Sequence, residues 1–240
     1  MKLCVIGRPV KHSRSPAIHT EFLRQAGIPG SYEAVEVAPE ELADFVREAK
    51  LGAYDGFNVT MPHKRTILPL LDEIAPDASD GAVNTVVIRQ GRAIGHNTDG
   101  AGFLRALPFS PQGKRCLLLG AGGAARAVCA ALVGAGAEVT VCSRRGVMLP
   151  GAAVMQWDAM NAAGFDLMIN ATPLGMTGQG DFTDFAFLDI LPAEAAVFDL
   201  VYEPVDTALL RAAADRGLAT IGGLALLHAQ AELAFQYFTE

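Results

Sequence analysis

Apolar residues along the first hundred positions come in two alternating rhythms. Short β-type runs at Leu3–Ile6, Tyr32–Val37, Phe57–Val59 and Val83–Ile88 are separated by stretches with helical spacing, among them Ile18–Gln25 and Glu40–Ala49. A strand covered on both faces reads as an unbroken apolar run, whereas a helix packed on one face shows apolar residues three and four apart. The alternation predicts an α/β layer. A second set begins at Arg115: a strand, a helix from Gly123, strands at Glu138–Cys142, Asp166–Asn170 and Ala196–Leu200, a helix over Asp206–Asp215 and a short strand near Leu218–Ile221. Strands that alternate with helices pair in parallel, because each crossover returns the chain to the same end of the sheet. The second half is therefore expected as a doubly wound parallel sheet. Asn97-Thr98-Asp99-Gly100, with the helix behind it, is the expected hinge, and Leu224–Phe238 is a terminal helix expected to return to the first domain.

The chain has 240 residues, enough for two modest domains, and carries 19 Lys plus Arg against 26 Asp plus Glu for a formal charge of −7. That balance leaves no broad cationic surface for a phosphate backbone or an anionic bilayer, so neither nucleic acid nor membrane is an expected partner. Cys4, Cys116, Cys129 and Cys142 sit in apolar runs, without a C-x-x-C pair or a His/Cys spacing that suits zinc, and read as reduced core thiols. The apolar stretch Leu3–Ile6 is too short for a signal-peptide core, and no segment reaches the roughly 20 apolar residues of a membrane span. A soluble, cytoplasmic protein that uses no metal is the expectation.

Cys116-Leu117-Leu118-Leu119 runs into Gly120-Ala121-Gly122-Gly123-Ala124-Ala125-Arg126, which opens an alanine-rich helix. In Gly120-x-Gly122-x-x-Ala125 the first glycine permits a tight turn, the second lets backbone approach a pyrophosphate, and the small third residue lets helix and strand pack closely. Backbone N–H groups at the helix start then face the anion, helped by the helix dipole. A dinucleotide without a 2′-phosphate is normally met about 20 residues downstream by an Asp or Glu that binds the ribose. Here the second strand ends Cys142-Ser143-Arg144-Arg145, with no carboxylate. Two guanidiniums suit a phosphate and favour NADP over NAD, a solvated basic loop being the plain alternative.

The first half carries a different chemistry. Asn58-Val59-Thr60-Met61-Pro62-His63-Lys64 places two neutral hydrogen-bonding side chains and a primary amine at the end of an apolar strand, as in a pocket for a polyhydroxylated small molecule. Ser13 and Ser15, just before a helix whose first turn contains Pro16, can aim hydroxyls and N–H groups at a carboxylate; capping of that helix by Ser15 alone is the alternative. Asn84, Asp99 and Gln230 complete the polar set, although Asp99 also fits as a helix N-cap and Lys64 as a surface lysine. His12, His63 and His228 have no metal or nucleophile partner by spacing and read as packing or rim residues, and the serines lack a G-x-S-x-G elbow, which argues against a hydrolase.

Together these segments resemble the shikimate dehydrogenase family, whose members interconvert 3-dehydroshikimate and shikimate with NADP in aromatic amino acid and chorismate biosynthesis. The resemblance runs through Ser13-Arg14-Ser15-Pro16, Asn58–Lys64, Ala82–Thr85, Asn97–Gly100, Gly120–Arg126, Asn170-Ala171-Thr172-Pro173-Leu174-Gly175-Met176, and Gly223-Leu224 followed by Gln230. It implies an α/β substrate domain over 1–100, a Rossmann-type NADP domain over 101–222, and a terminal helix over 223–240 that returns to the first. By the same mapping Ser13 and Ser15 bind the substrate carboxylate, while Asn58, Thr60, Asn84, Asp99 and Gln230 contact its ring hydroxyls. Lys64 and Asp99 form the catalytic pair, and Tyr202 lies beside the substrate. Gly120, Ala121, Gly122, Gly123, Ala124, Ala125 and Arg126 hold the pyrophosphate; Ser143 and Arg144 fall on the adenosine-phosphate motif; Thr172 in the Asn170 turn and Gly223 border the nicotinamide. A small-molecule substrate is the implied partner, for a monomer or a homodimer.

The chain departs from the family pattern after its second Rossmann strand. Ser143-Arg144-Arg145 stands where Asn-Arg-Thr and a later cation are usual, so Arg145 is expected to replace that cation. Val147-Met148-Leu149-Pro150-Gly151 leads almost directly into Ala152–Val154, as if the usual helix were cut away. Two other readings stand beside the first: a quinate/shikimate dehydrogenase using NAD, for which an acid near Ser143 is expected and absent, and a paralogue that binds ligands without turnover.

Overall fold

The computed structural model describes residues 1–78 and 81–240. Two compact units divide the chain, Met1–Thr98 with Gln230–Glu240, and Asp99–Ala229.

In the first unit β1 (Lys2–Gly7), α1 (Ser15–Gln25), β2 (Ser31–Glu36), α2 (Leu42–Glu48), β3 (Gly56–Val59), α3 (His63–Thr66), β4 (Glu73–Ile74), β5 (Thr85–Arg89) and β6 (Arg92–His96) follow one another. Leu3, Cys4, Val5 and Ile6 are buried because β1 lies inside the sheet, paired in parallel with β2 on one side and β3 on the other. β5 then runs antiparallel to β3 and β6 antiparallel to β5, giving a six-stranded order β2-β1-β3-β5-β6-β4. The β5–β6 turn places Gln90 and Gly91 at φ 51° and 74°, the left-handed pair whose twist matches a two-residue hairpin. Arg89 donates from Nη2 to the carbonyls of Tyr237 (2.9 Å) and Phe238 (3.2 Å), satisfying the end of the terminal helix.

The second unit contains α4 (Asp99–Ala106), β7 (Arg115–Leu119), α5 (Gly123–Gly134), β8 (Glu138–Ser143), β9 (Ala153–Gln156), β10 (Leu167–Asn170), β11 (Ala196–Asp199), α6 (Ala208–Ala214) and β12 (Ala219–Ile221), and α7 (Gly223–Thr239) starts in it. All six strands are parallel in the order β12-β11-β10-β7-β8-β9. Counted within this unit, that is the doubly wound dinucleotide-binding order, with its reversal between β7 and β10. Cys116 and Leu118 point into one buried cluster with Val128, Leu132 and Phe198, while Leu117 and Leu119 point into another with Met168, Val197 and Leu209. Burial on both faces is why β7 reads as an unbroken apolar run. No helix stands between β8 and β9. Leu149 from that connection is buried among the α5-side residues and fills space against the sheet.

Candidate active site

One edge of the first sheet collects the polar residues. β1 and β3 are parallel with Ile6 opposite Val59, so both strands end together. Thr85 stands opposite Asn58 and His96 opposite Thr85, which brings Asn84, before β5, and Asn97–Thr98, after β6, to the same edge. There the buried Asn58 accepts at Oδ1 from the Tyr32 hydroxyl (2.6 Å) and donates from Nδ2 to Thr85 Oγ1 (3.0 Å) and the Asn84 carbonyl (3.1 Å). Thr85 Oγ1 donates to Asn84 Oδ1 (2.9 Å), which also accepts the Thr98 backbone N–H (2.9 Å). Asn84 Nδ2 donates to Thr98 Oγ1 (3.0 Å), and that oxygen stands 3.4 Å from Gln230 Oε1 on α7. A backbone N–H can only donate, so Asn84 must turn Oδ1 toward Thr98 and its NH₂ toward the threonine hydroxyl. The structure thus joins Asn58, Asn84 and Gln230 in one chain of hydrogen bonds that fixes amide orientation in advance.

Ser13 Oγ accepts from the Ser15 N–H (3.2 Å), and the N-cap of α1 is Arg14 without a side-chain cap bond, so Ser15 does not cap the helix. Ser15 is buried and hydrogen-bonded to Tyr32, whose phenol burial holds well above its ordinary value and therefore keeps as a donor. Thr60 follows β3; its N–H donates to the Ile6 carbonyl (2.9 Å) and its carbonyl accepts from His63 N–H (2.9 Å), the turn that starts α3. His63 is fully buried with Nε2 2.7 Å from the Val37 carbonyl, which makes that nitrogen the donor. Half-buried Lys64 comes next, its own carbonyl accepting from Val83 N–H (2.8 Å). His12 and His228 are exposed.

His19 on α1 lies flat against Tyr32, with ring centroids 4.4 Å apart and planes 2° from parallel; it is fully buried, and neither ring nitrogen has a partner among the described residues. Burial pushes its pKa down to about 3. The folded state keeps a neutral imidazole where the unfolded chain, with an ordinary value near 6.5, takes up a proton. Stability is therefore intact above about pH 6.5 and falls by up to about 1.4 kcal/mol per pH unit on acidification toward the folded value. Thermal melts of His19→Phe are expected to show a flatter profile across that window. Equal acid sensitivity in parent and variant would refute the assignment.

In the second unit, β7 and β10 end side by side at Leu119 and Asn170, at the reversal of strand order. Gly120 has φ 106°, and a Cβ there would meet the Ala171 carbonyl at 2.9 Å and Thr172 Cγ2 at 3.2 Å. Only glycine fits both the backbone and the approach of the β10 turn. Gly122 precedes α5 without a side-chain cap, and Gly122, Gly123 and Ala124 are exposed, so the positive end of the helix is presented to solvent. Ala125 is fully buried against the sheet, as its small size requires, and Arg126 is half-buried beyond it. Asn170 Oδ1 accepts from the Thr172 N–H (3.0 Å) and hydroxyl (2.6 Å), which holds Thr172 beside Gly120. At the start of α7 a Cβ on Gly223 would come 2.6 Å from the Val201 carbonyl, so this helix start and the strand end before half-buried Tyr202 meet backbone to backbone. After β8, Ser143 is buried with Oγ accepting from Val147 N–H (3.0 Å), while Arg144 and Arg145 are exposed.

Tyr32, Thr85 and Thr98, which orient the site amides, carry no signal of that role in the sequence. Tyr32 and Thr85 read as ordinary strand formers and Thr98 as part of a hinge; only the sheet register makes them neighbours. The four cysteines are free and buried, and burial pushes Cys116 up to about 12 and Cys142 to about 11, leaving them inert thiols. Among the described residues no group of three or more His, Cys, Asp or Glu could hold a metal ion, and no helix is long and apolar enough to cross a membrane.

Residues 5–86 match the family model of the shikimate dehydrogenase substrate binding domain. A shikimate dehydrogenase (NADP(+)) of Methylobacterium radiotolerans is 44% identical over 252 residues, covering 97% of this chain and 89% of the relative. One from a Geobacter species is 42% identical over 260 residues, with 98% and 88% coverage. The crystal structure of shikimate 5-dehydrogenase from Thermus thermophilus in complex with NADP(H) and shikimate superposes with a TM-score of 0.91 at 38% identity, covering 100% of this chain and 93% of that one. With this identity sustained over nearly its whole length, the chain belongs to the shikimate dehydrogenase family.

Proposed function

We propose that the protein is an NADP-linked shikimate dehydrogenase, reducing 3-dehydroshikimate to shikimate with NADPH in a reversible step of aromatic amino acid and chorismate biosynthesis. The observation that carries this reading is the row of pre-oriented amides and hydroxyls at one sheet edge, Asn58, Asn84, Thr98 and Gln230, at the same strand ends from which Thr60 and Lys64 follow. Such a row matches the hydroxyls of a cyclic polyol, and the Ser13–Ser15 turn supplies hydroxyls for its carboxylate.

Reducing a ring ketone requires a hydride at carbon and a proton at the oxygen that becomes negative in the transition state. NADPH supplies the hydride. The Lys64 ammonium stabilises the developing alkoxide and gives up the proton, with Asp99 as the acidic member of the catalytic pair; Thr98, one peptide bond before Asp99, is held by Asn84 through its N–H and hydroxyl. Ser13 and Ser15 bind the carboxylate, Asn58, Thr60, Asn84, Asp99 and Gln230 the ring hydroxyls, and Tyr202 lies beside the ring. The uncapped, exposed start of α5 behind Gly120 suits the pyrophosphate, and Arg144 and Arg145 suit the ribose phosphate. Thr172 and Gly223 border the nicotinamide. Free buried thiols are in keeping with a reducing cytoplasm, where the enzyme works as a monomer or a homodimer.

The NAD-linked quinate reading is disfavoured because β8 ends in Ser143 followed by arginines, with no carboxylate to take the ribose hydroxyls. Purified protein, assayed by reduced-cofactor absorbance with shikimate and quinate against NADP and NAD, is expected to turn over fastest with shikimate and NADP. Absence of NADP-dependent shikimate oxidation would end the proposal.

A further inference from the structure

Asp199 is the one acidic side chain buried among the described residues. It ends β11 with 0% exposure, directly opposite Asn170 of β10. Oδ1 accepts from Val201 N–H (3.0 Å) and Asn170 Nδ2 (2.9 Å), and Oδ2 accepts from the Thr207 hydroxyl (2.6 Å), which also caps α6 by accepting from Leu210 N–H (3.3 Å). These partners are neutral donors, so the carboxylate gives up water without gaining a cation. Burial pushes the carboxyl above its ordinary value, against the hydrogen bonds from Thr207, Val201 and Asn170. An apolar residue would end β11 more cheaply.

What an apolar residue would not do is orient Asn170. The Val201 N–H can only donate, so Oδ1 of Asp199 is an acceptor whether or not Oδ2 carries a proton, and the Asn170 atom beside it must be the NH₂. In the same orientation Asn170 Oδ1 faces Thr172, where it accepts both the N–H (3.0 Å) and the hydroxyl proton (2.6 Å). With its one proton committed, Thr172 Oγ1 accepts from Leu174 N–H (3.2 Å), and Asn170 Nδ2 reaches back to the Leu174 carbonyl (3.1 Å). Asp199 thus holds the Asn170 amide from the strand side in the one orientation that the Thr172 N–H and the Leu174 carbonyl also require from the turn side.

We propose that Asp199 is the positioning residue of the turn at 170–174, fixing the Asn170 amide so that Thr172 is held in the shape that receives the nicotinamide. The assignment rests on the reading that this protein binds NADP with the Asn170 turn at its nicotinamide end. Two probes separate the ends of the cofactor: NADP itself, and adenosine 2′,5′-bisphosphate, which has the ribose phosphate and no nicotinamide. In calorimetry on the full chain, Asp199→Leu, which keeps side-chain size and removes the acceptor, is expected to weaken NADP by about 10-fold or more and to lower kcat, while the bisphosphate stays within about 2-fold. Asp199→Asn keeps an acceptor at Oδ1 and is expected to bind NADP within about 3-fold of the parent. Parallel loss of both probes, loss of neither, or an Asn variant as impaired as the Leu variant overturns the assignment. If Asp199→Leu does not fold, Thr172→Val reads the relay from its other end and must show the same split between probes; binding like the parent overturns it equally. A parent protein that itself fails to bind NADP refutes the underlying reading instead.

Discussion

Replacing Lys64 by methionine is expected to lower kcat by roughly 10²- to 10⁴-fold while shikimate binding holds within a few-fold, the pattern of a lost acid–base group. Methionine keeps the length and apolar stem of the lysine and removes its charge and proton. The backbone at this position is tied independently of the side chain: the carbonyl of Lys64 accepts from Val83 N–H (2.8 Å), and the preceding His63 is buried with Nε2 against the Val37 carbonyl (2.7 Å). The substitution therefore leaves α3 in place, and the Asn58 and Asn84 amides proposed to meet the ring hydroxyls are fixed by Tyr32, Thr85 and Thr98, not by Lys64. Steady-state kinetics paired with calorimetric titration of shikimate separate the two effects. An unchanged kcat would remove Lys64 from proton transfer; loss confined to binding would make it a carboxylate or hydroxyl ligand instead.

Much of the fold was legible because its central strands are covered on both faces, which forces unbroken apolar runs at Leu3–Ile6 and Cys116–Leu119 that no surface element would carry. β6 was missed. Its turn uses Gln90-Gly91 in place of the Asn-Gly or Asp-Gly pair that announces a two-residue hairpin, and its residues Arg92-Ala93-Ile94-Gly95-His96 look unlike a strand without β5 beside them. The shortened connection after β8 was visible as a missing helical pattern, but that Leu149 folds back into the core was not. Within the candidate site, motifs pointed to Asn58, Asn84 and Gln230 but not to the residues that hydrogen-bond them. Tyr32 is 26 residues from Asn58 and Thr98 is 132 from Gln230, so only sheet register and the terminal helix make them partners. Asp199 carries no signal in the sequence for the same reason: its partner Asn170 stands 29 residues away.

Arg144→Ala is expected to weaken NADP by about 10- to 100-fold, in line with losing a charge-assisted hydrogen bond of ~1.5–3 kcal/mol, and to leave NAD within about 3-fold. The end of β8 motivates the asymmetry. Ser143 is buried with its hydroxyl accepting from Val147 N–H (3.0 Å), so it steadies the loop, and the first side chains exposed beyond it are Arg144 and Arg145. Among the described residues no hydrogen bond or ion pair ties either guanidinium, which leaves both planar forks available to a phosphate. Because they are exposed, raising salt should narrow the NADP advantage by screening, whereas a guanidinium stacked on the adenine would serve both cofactors and respond little to salt. Titrating NADP and NAD into parent, Arg144→Ala and Arg145→Ala at two ionic strengths tells these apart. A loss shared equally by both cofactors would make Arg144 an adenine platform; a selective loss seen only at Arg145 would place the phosphate one residue further on, at the cation expected to replace the one missing from this shortened loop.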